Sequence, residues 1–166
     1  GVAWYNLGLA LIQEGRAAAA ARKRDGVDAT PADEAQRVAH LERAVEAFGR
    51  AHVLAENQIP MVQRNLGQAY FELDRPLPAI EAFQAHLAKV PKDFATLNTV
   101  GVLYQGLAKA AAERGSAGAA DARKHYTSAL DSFERSLSAS PQQDKVENLQ
   151  RRIGNLRQQL QALSGS

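Results

Sequence analysis

The chain contains no cysteine. Disulfides, thiolate metal sites and cysteine nucleophiles are therefore excluded, and the compartment stays open. Aromatic residues make up only 6%, and β-branched residues are sparse, so the side chains that strands favour are missing. Alanine, the best helix former, takes 32 of 166 positions instead. A sheet protein is close to ruled out. No run approaches the ~18 consecutive apolar residues of a membrane helix, so membrane insertion is not expected. There is no excess of one charge either: 20 Lys and Arg against 18 Asp and Glu leave +2. The pI of 9.1 rests on that small excess and makes no case for nucleic acid. A mean hydropathy of −0.34 is that of a globular chain, and 166 residues fit one domain. Alanine-rich, Gln-rich helices suggest a bacterial, GC-rich source.

Catalytic signatures are missing as well. There is no H-E-x-x-H, G-x-x-x-x-G-K-[ST], G-x-S-x-G or G-x-G-x-x-G. His40, His52, His86 and His125 form no pair at i+3 or i+4, so helical metal ligation is not signalled. His86 reads as a hydrogen-bonded interhelical residue. The Arg22-Lys23-Arg24 cluster sits beside Asp25 and Asp28 with no aromatic interleaved. It reads as a helix C-terminus favoured by the macrodipole. No enzyme activity, metal or cofactor is expected.

What is present is a repeat. Trp4-Tyr5-Asn6-Leu7-Gly8, Arg64-Asn65-Leu66-Gly67 and Leu97-Asn98-Thr99-Val100-Gly101 align. Each is followed by an Ala-x3-Phe half: Ala44 and Phe48, Ala79 and Phe83, Ala129 and Phe133, the last two with Pro91 and Pro141. Gly67 and Gly101 are 34 residues apart. The pattern resembles the tetratricopeptide repeat, W-x2-L-G-x2-Y…A-x3-F…P, a helix–turn–helix of that period. The resemblance covers residues 1 to about 141. It implies an all-α fold, a right-handed α-α superhelix of about seven antiparallel helices. Repeats are placed at 1–57, 58–91 and 92–141, with a capping helix at 142–163 and a tail at 164–166, all in a single domain.

Repeats one and three exceed the pattern by 24 and 16 residues between their two helices. Both insertions are alanine-rich, and each holds one turn. Thr30, Pro31 and Asp33 read as N-cap, first helical residue and capping-box partner. Gly115-Ser116-Ala117-Gly118 is the second turn. The hairpins are therefore expected to be longer helices, about 12 Å longer in repeat three and somewhat under ~18 Å longer in repeat one. They would flank a short hairpin turned by Asp74-Arg75-Pro76, with a notch above it. Gly15 is expected to weaken helix one, with a kink there. After Pro141, Val146, Leu149, Ile153, Leu156, Leu160 and Leu163 form an a/d seam. The opposite face carries Lys145, Arg151, Arg152, Arg157, Gln158 and Gln159. The seam reads as a cap over the last repeat, with a homodimer through the C-terminal helix as the alternative. The chain starts at Gly1 rather than Met, and repeat one opens at its first position. Both features read as a processed or excised segment.

The resemblance further implies a concave groove lined by first-helix positions. Here these are Tyr5, Asn6, Leu9 and Ile12 with Val2 and Gln13; Arg64, Asn65, Gln68 and Phe71 with Met61 and Glu72; and Asn98, Thr99 and Gln105 with Ala95, Val102 and Gly106. Asn6 and Asn65 hold the same repeat position. They resemble the asparagine ladder of some tetratricopeptide superhelices, with Thr99 departing. Chaperone-tail receptors of this family clamp a carboxylate with Lys and Asn of repeat one and Lys and Arg of repeat three. Tyr5, Leu9 and a third repeat without a basic groove residue speak against that function. The expected role is a non-enzymatic module that binds a peptide or helical segment of a protein partner. The alternatives are a self-assembling scaffold or the docking domain of a larger protein.

Overall fold

The computed structural model describes residues 1–24, 28–55, 59–142 and 146–164, with residues 18–24 described by backbone alone. Seven α-helices and no strand occur among them. The chain divides into two compact units, Gly1–Lys89 and Val90–Ser166.

The first unit contains α1 (Val2–Arg24), α2 (Pro31–Leu54), α3 (Met61–Glu72) and α4 (Pro76–Leu87). Its core joins Leu11 and Ile12 of α1 to Leu41, Ala44, Phe48 and Ala51 of α2, and to Val62 and Ala69 of α3. The α2 residues recur at 3-4-3 spacing, one stripe of a helix. Alanine in that stripe lets neighbouring helices approach, and Phe48, fully buried, fills the space between them.

The lengthened arm is helical, as its composition predicts. α1 and α2 have 23 and 24 residues against 12 each for α3 and α4. At ~1.5 Å per residue, α1 outreaches α3 by roughly 16 Å. Its outer turn is fixed by the expected capping box. The Thr30 N–H donates to Asp33 Oδ2 at 2.8 Å, and the Asp33 N–H donates to Thr30 Oγ1 at 3.3 Å. Asp25, Gly26 and Val27 of that turn, and the Arg22-Lys23-Arg24 side chains, lie outside the described residues. α1 continues as one helix through Gly15, the residue expected to weaken it. Gly15 is buried, and α2 lies against it at Arg37 and His40. Packing supplies what the glycine's poor propensity withholds.

Between α3 and α4, the tight turn is a Schellman motif. The Arg75 N–H donates to the Tyr70 carbonyl at 2.9 Å, and the Asp74 N–H to the Phe71 carbonyl at 3.1 Å. Asp74 takes the left-handed conformation this requires, φ 55°. Pro76 then opens α4. His86 is buried, with Nδ1 3.2 Å from the Pro60 carbonyl, the interhelical bond expected of it.

The second unit repeats the plan with α5 (Phe94–Ala112), a 3₁₀ turn at Gly115–Gly118, α6 (Ala119–Ala139) and α7 (Val146–Ala162). Ala122, Tyr126, Ala129 and Phe133 of α6 make one buried stripe with Ala108 and Ala111 of α5. Leu149, Ile153 and Leu156 of α7 close this core, with Leu160 and Leu163 packed at its edge. The seam thus serves its own unit. One outward residue is misplaced by the seam reading. Arg152 is half-buried, its guanidinium 5.8 Å from the centre of the Phe133 ring, and its Nη1 donates to Gln105 Oε1 at 3.2 Å. Its position is one short of Ile153, so it borders the buried stripe, and its length carries the charge across to α5.

Candidate groove of the first unit

The first helices of repeats one and two, α1 and α3, bring together six of the predicted groove residues. Leu9 and Ile12 of α1 face Arg64, Asn65 and Gln68 of α3, and Gln13 and Arg16 complete the lining. The cleft holds about 260 Å³. That is below the ~300–1,000 Å³ of typical small-molecule sites, and it suits one or two side chains of a longer ligand. Leu9 and Ile12 pack into the core below, so the floor is apolar. The walls are polar: two guanidinium groups and three side-chain amides.

Several of those walls are already hydrogen-bonded. Asn65 Nδ2 donates to the Tyr5 hydroxyl at 3.0 Å. The Tyr5 ring rests against Phe48, centroids 6.0 Å apart. Asn65 therefore ties α3 to α1 through a residue rooted in the core. Asn6, its counterpart in repeat one, is exposed. Gln68 Nε2 donates to Glu72 Oε1 at 2.8 Å. Arg16 approaches the same oxygen with Nε at 3.0 Å and with Nη2 in an ion pair. Arg37 Nη1 donates to the Glu72 backbone carbonyl at 3.1 Å, and Glu34 holds the Arg37 guanidinium at 2.6 and 2.9 Å. Those bonds to Arg37 keep the Glu34 carboxyl below the usual range and raise Arg37 in turn. Phe71 is 39% exposed and lies outside this lining, as do Tyr5 and Asn6.

In the second unit, Asn98, Thr99 and Gln105 share α5. Thr99 turns its hydroxyl back onto its own helix and donates to the Ala95 carbonyl at 3.1 Å. Gln105 is held by Arg152. A cation therefore reaches the first helix of repeat three after all, supplied by the capping helix.

Neither Arg16 nor Arg152 is among the groove positions predicted from sequence. Counting groove positions over a first helix of ordinary length stops at Gln13, one turn short of Arg16. The signal was present, since the insertion read as helix. A first helix that continues carries a further groove residue one turn beyond Ile12.

No family model and no curated protein matches the sequence. Among solved structures, the chain is similar to the first TPR of Spaghetti (RPAP3), solved bound to the HSP90 peptide SRMEEVD. Identity is 15%, 94% of each chain is covered, and the TM-score is 0.55. Among the described residues, no helix is long and apolar enough to cross a membrane.

Proposed function

We propose, from the premise that this chain has the tetratricopeptide-repeat fold, that it is a non-enzymatic module binding an extended segment of a protein partner. The contact surface we assign is the cleft between α1 and α3. The observation that carries this is the cleft's make-up. An apolar floor of Leu9 and Ile12 lies under Arg64, Asn65 and Gln68, and amides can donate to and accept from a peptide backbone without reading its side chains. The similar domain is itself solved with a peptide bound. Helical-repeat folds host many roles, so the site and not the fold must carry the assignment. A chaperone-type terminal clamp is not part of it, because Tyr5 and Leu9 stand at the repeat-one clamp positions.

The test is an affinity pull-down from source lysate with wild type and an Arg64→Glu/Asn65→Asp variant, identified by mass spectrometry. Circular dichroism first establishes that both fold alike. A partner held by wild type and lost by the variant supports the cleft. A partner retained equally by both moves the contact elsewhere and overturns it.

A further inference from the structure

We infer that α7 is the first helix of an incomplete fourth hairpin, and that the cleft beside Gly154 is a socket for a phenylalanine carried on a helix of a protein partner. The inference concerns the second unit and does not depend on the cleft between α1 and α3.

α1, α3 and α5 share one device. Each carries an apolar residue followed by glycine: Leu7-Gly8, Leu66-Gly67 and Val100-Gly101. Each glycine takes a ring from the second helix of its own hairpin, Phe48, Phe83 or Phe133. A methyl on any of the three glycines would lie 2.6–2.7 Å from that ring. α7 carries the same dipeptide, Ile153-Gly154. Ile153 is buried in the core of its unit. Gly154 is exposed, and nothing lies within 4 Å of a methyl built on it. It stands where the other three meet a ring, and among the described residues no ring arrives.

The space for one is there. A cleft of about 530 Å³ opens between α6 and α7 over Gly154, with Leu137, Pro141 and Ile153 as its apolar surface. That volume falls within the ~300–1,000 Å³ of sites that enclose a ligand group. The surroundings follow the repeat in part. Four residues before the glycine, Gln150 matches Gln63 of α3. Three residues after it, Arg157 replaces Leu11, Tyr70 and Tyr104. Arg157 Nη2 donates to Glu134 Oε1 at 2.7 Å and so spans the cleft from α7 to α6. An exposed pair of this kind holds little, and the arginine stem still covers apolar surface. A helix that meets this charged rim would be held reversibly, unlike α2, α4 or α6 in their hairpins.

The repeat itself specifies the occupant. Ala44 and Phe48, Ala79 and Phe83, and Ala129 and Phe133 are buried pairs four residues apart. The alanine allows close approach and the ring fills the gap. An amphipathic helix with alanine four residues before phenylalanine fits the socket in the same way. A second copy of the chain has no such helix to spare, because all three of its rings are fully buried.

The test is a titration of the ¹⁵N-labelled full chain followed by NMR. The probe is a peptide with the sequence of residues 76–89, which contains the second helix of the uninserted repeat. It carries Ala85→Lys and a lactam from that lysine to Glu81, both outward positions in α4. The lactam keeps so short a peptide helical in water. Amides at 134–138 and 150–157 should shift. The same peptide with Phe83→Ala should bind at least about tenfold more weakly, since the ring carries most of the apolar burial. Gly154→Ala in the chain should weaken the first peptide by a similar factor, with the melting point unchanged or raised. Gly49→Ala, at an open helical glycine of the first unit, should leave binding as it was. Equal binding of the two peptides, undiminished binding to Gly154→Ala, or no shift with the lactam peptide overturns the inference. So do shifts confined to α3, which would mean exchange with α4. N-acetylphenylalanine amide shifting the same amides at the same concentration overturns the choice of a helix. Shifts on concentrating the chain alone overturn the choice of a partner in favour of a second copy. None of these outcomes bears on the first unit's groove, whose residues the test does not touch.

Discussion

Gly67 and Phe83 meet so closely that a methyl on Gly67 would lie 2.7 Å from Cδ1 of the ring. The same pair recurs in each hairpin. Gly8 stands against Phe48 and Gly101 against Phe133, and at both a methyl on the glycine would lie 2.6 Å from the ring. Each ring is fully buried, so it has nowhere to move. Gly67→Ala should therefore destabilise the chain by about 1–3 kcal/mol through overpacking, although alanine is the better helix former by ~1 kcal/mol. Gly154→Ala is the counter-case. Nothing lies within 4 Å of its new methyl, so it should stabilise by about 0.5–1 kcal/mol. Urea denaturation measures both. Equal effects of one sign would show that propensity, not the Phe contact, sets the cost.

This pairing marks what could be read from sequence and what could not. Gly8, Gly67 and Gly101 with Phe48, Phe83 and Phe133 were legible because close packing needs small and large residues at fixed spacing. Thr30, Pro31 and Asp33 were legible because a cap is local chemistry. Leu149, Ile153 and Leu156 announced their burial by period. Arg16, Arg37 and Arg152 did not announce their contacts in that way. Each is a long side chain that bonds a residue on another helix, Glu72, the Glu72 carbonyl and Gln105. Such bonds depend on helix length and crossing, which no single-helix pattern encodes.

Tyr5 and Asn65 offer the cleanest probe of the cleft's rigidity. Tyr5→Phe removes the acceptor for Asn65 Nδ2 and little else, since the ring can keep its place against Phe48. The loss should be about 0.5–1.5 kcal/mol, the net worth of one part-buried bond. With Asn65→Ala added, the two losses should not sum. Strict additivity in that double-mutant cycle would mean the bond does not hold α3 to α1.

Acid should loosen the arm through Glu34. Its carboxyl is held below the usual range chiefly by hydrogen bonding from Arg37. The stability this gives is present above Glu34's unfolded pKa and is lost as pH falls through the lower folded value. Glu34 is exposed, so the effect on global unfolding should be small. Hydrogen exchange is the better readout. Amides in the first turns of α2 should exchange faster at pH 3 than the intrinsic rate change explains, and Glu34→Gln should show that faster exchange at pH 7. An unchanged profile in Glu34→Gln would remove Glu34 from the arm's support.

The capping helix decides between a lone module and a self-assembling one. Leu149, Ile153 and Leu156 of α7 are buried against α5 and α6, and a dimer built on that seam would have to strip them from their own core. Leu156→Ala should cost about 2–5 kcal/mol, the range for a buried leucine. Because the cost arises within one chain, it should not vary with protein concentration. A seam shared between two chains behaves otherwise: its stability follows mass action, and the melting point rises as the chain is concentrated. Light scattering at high micromolar concentration gives the second reading. A monomer whose Leu156→Ala variant melts lower by the same margin at every concentration makes α7 a cap. Concentration-dependent melting, abolished by Leu156→Ala together with the larger species, would make it an interface.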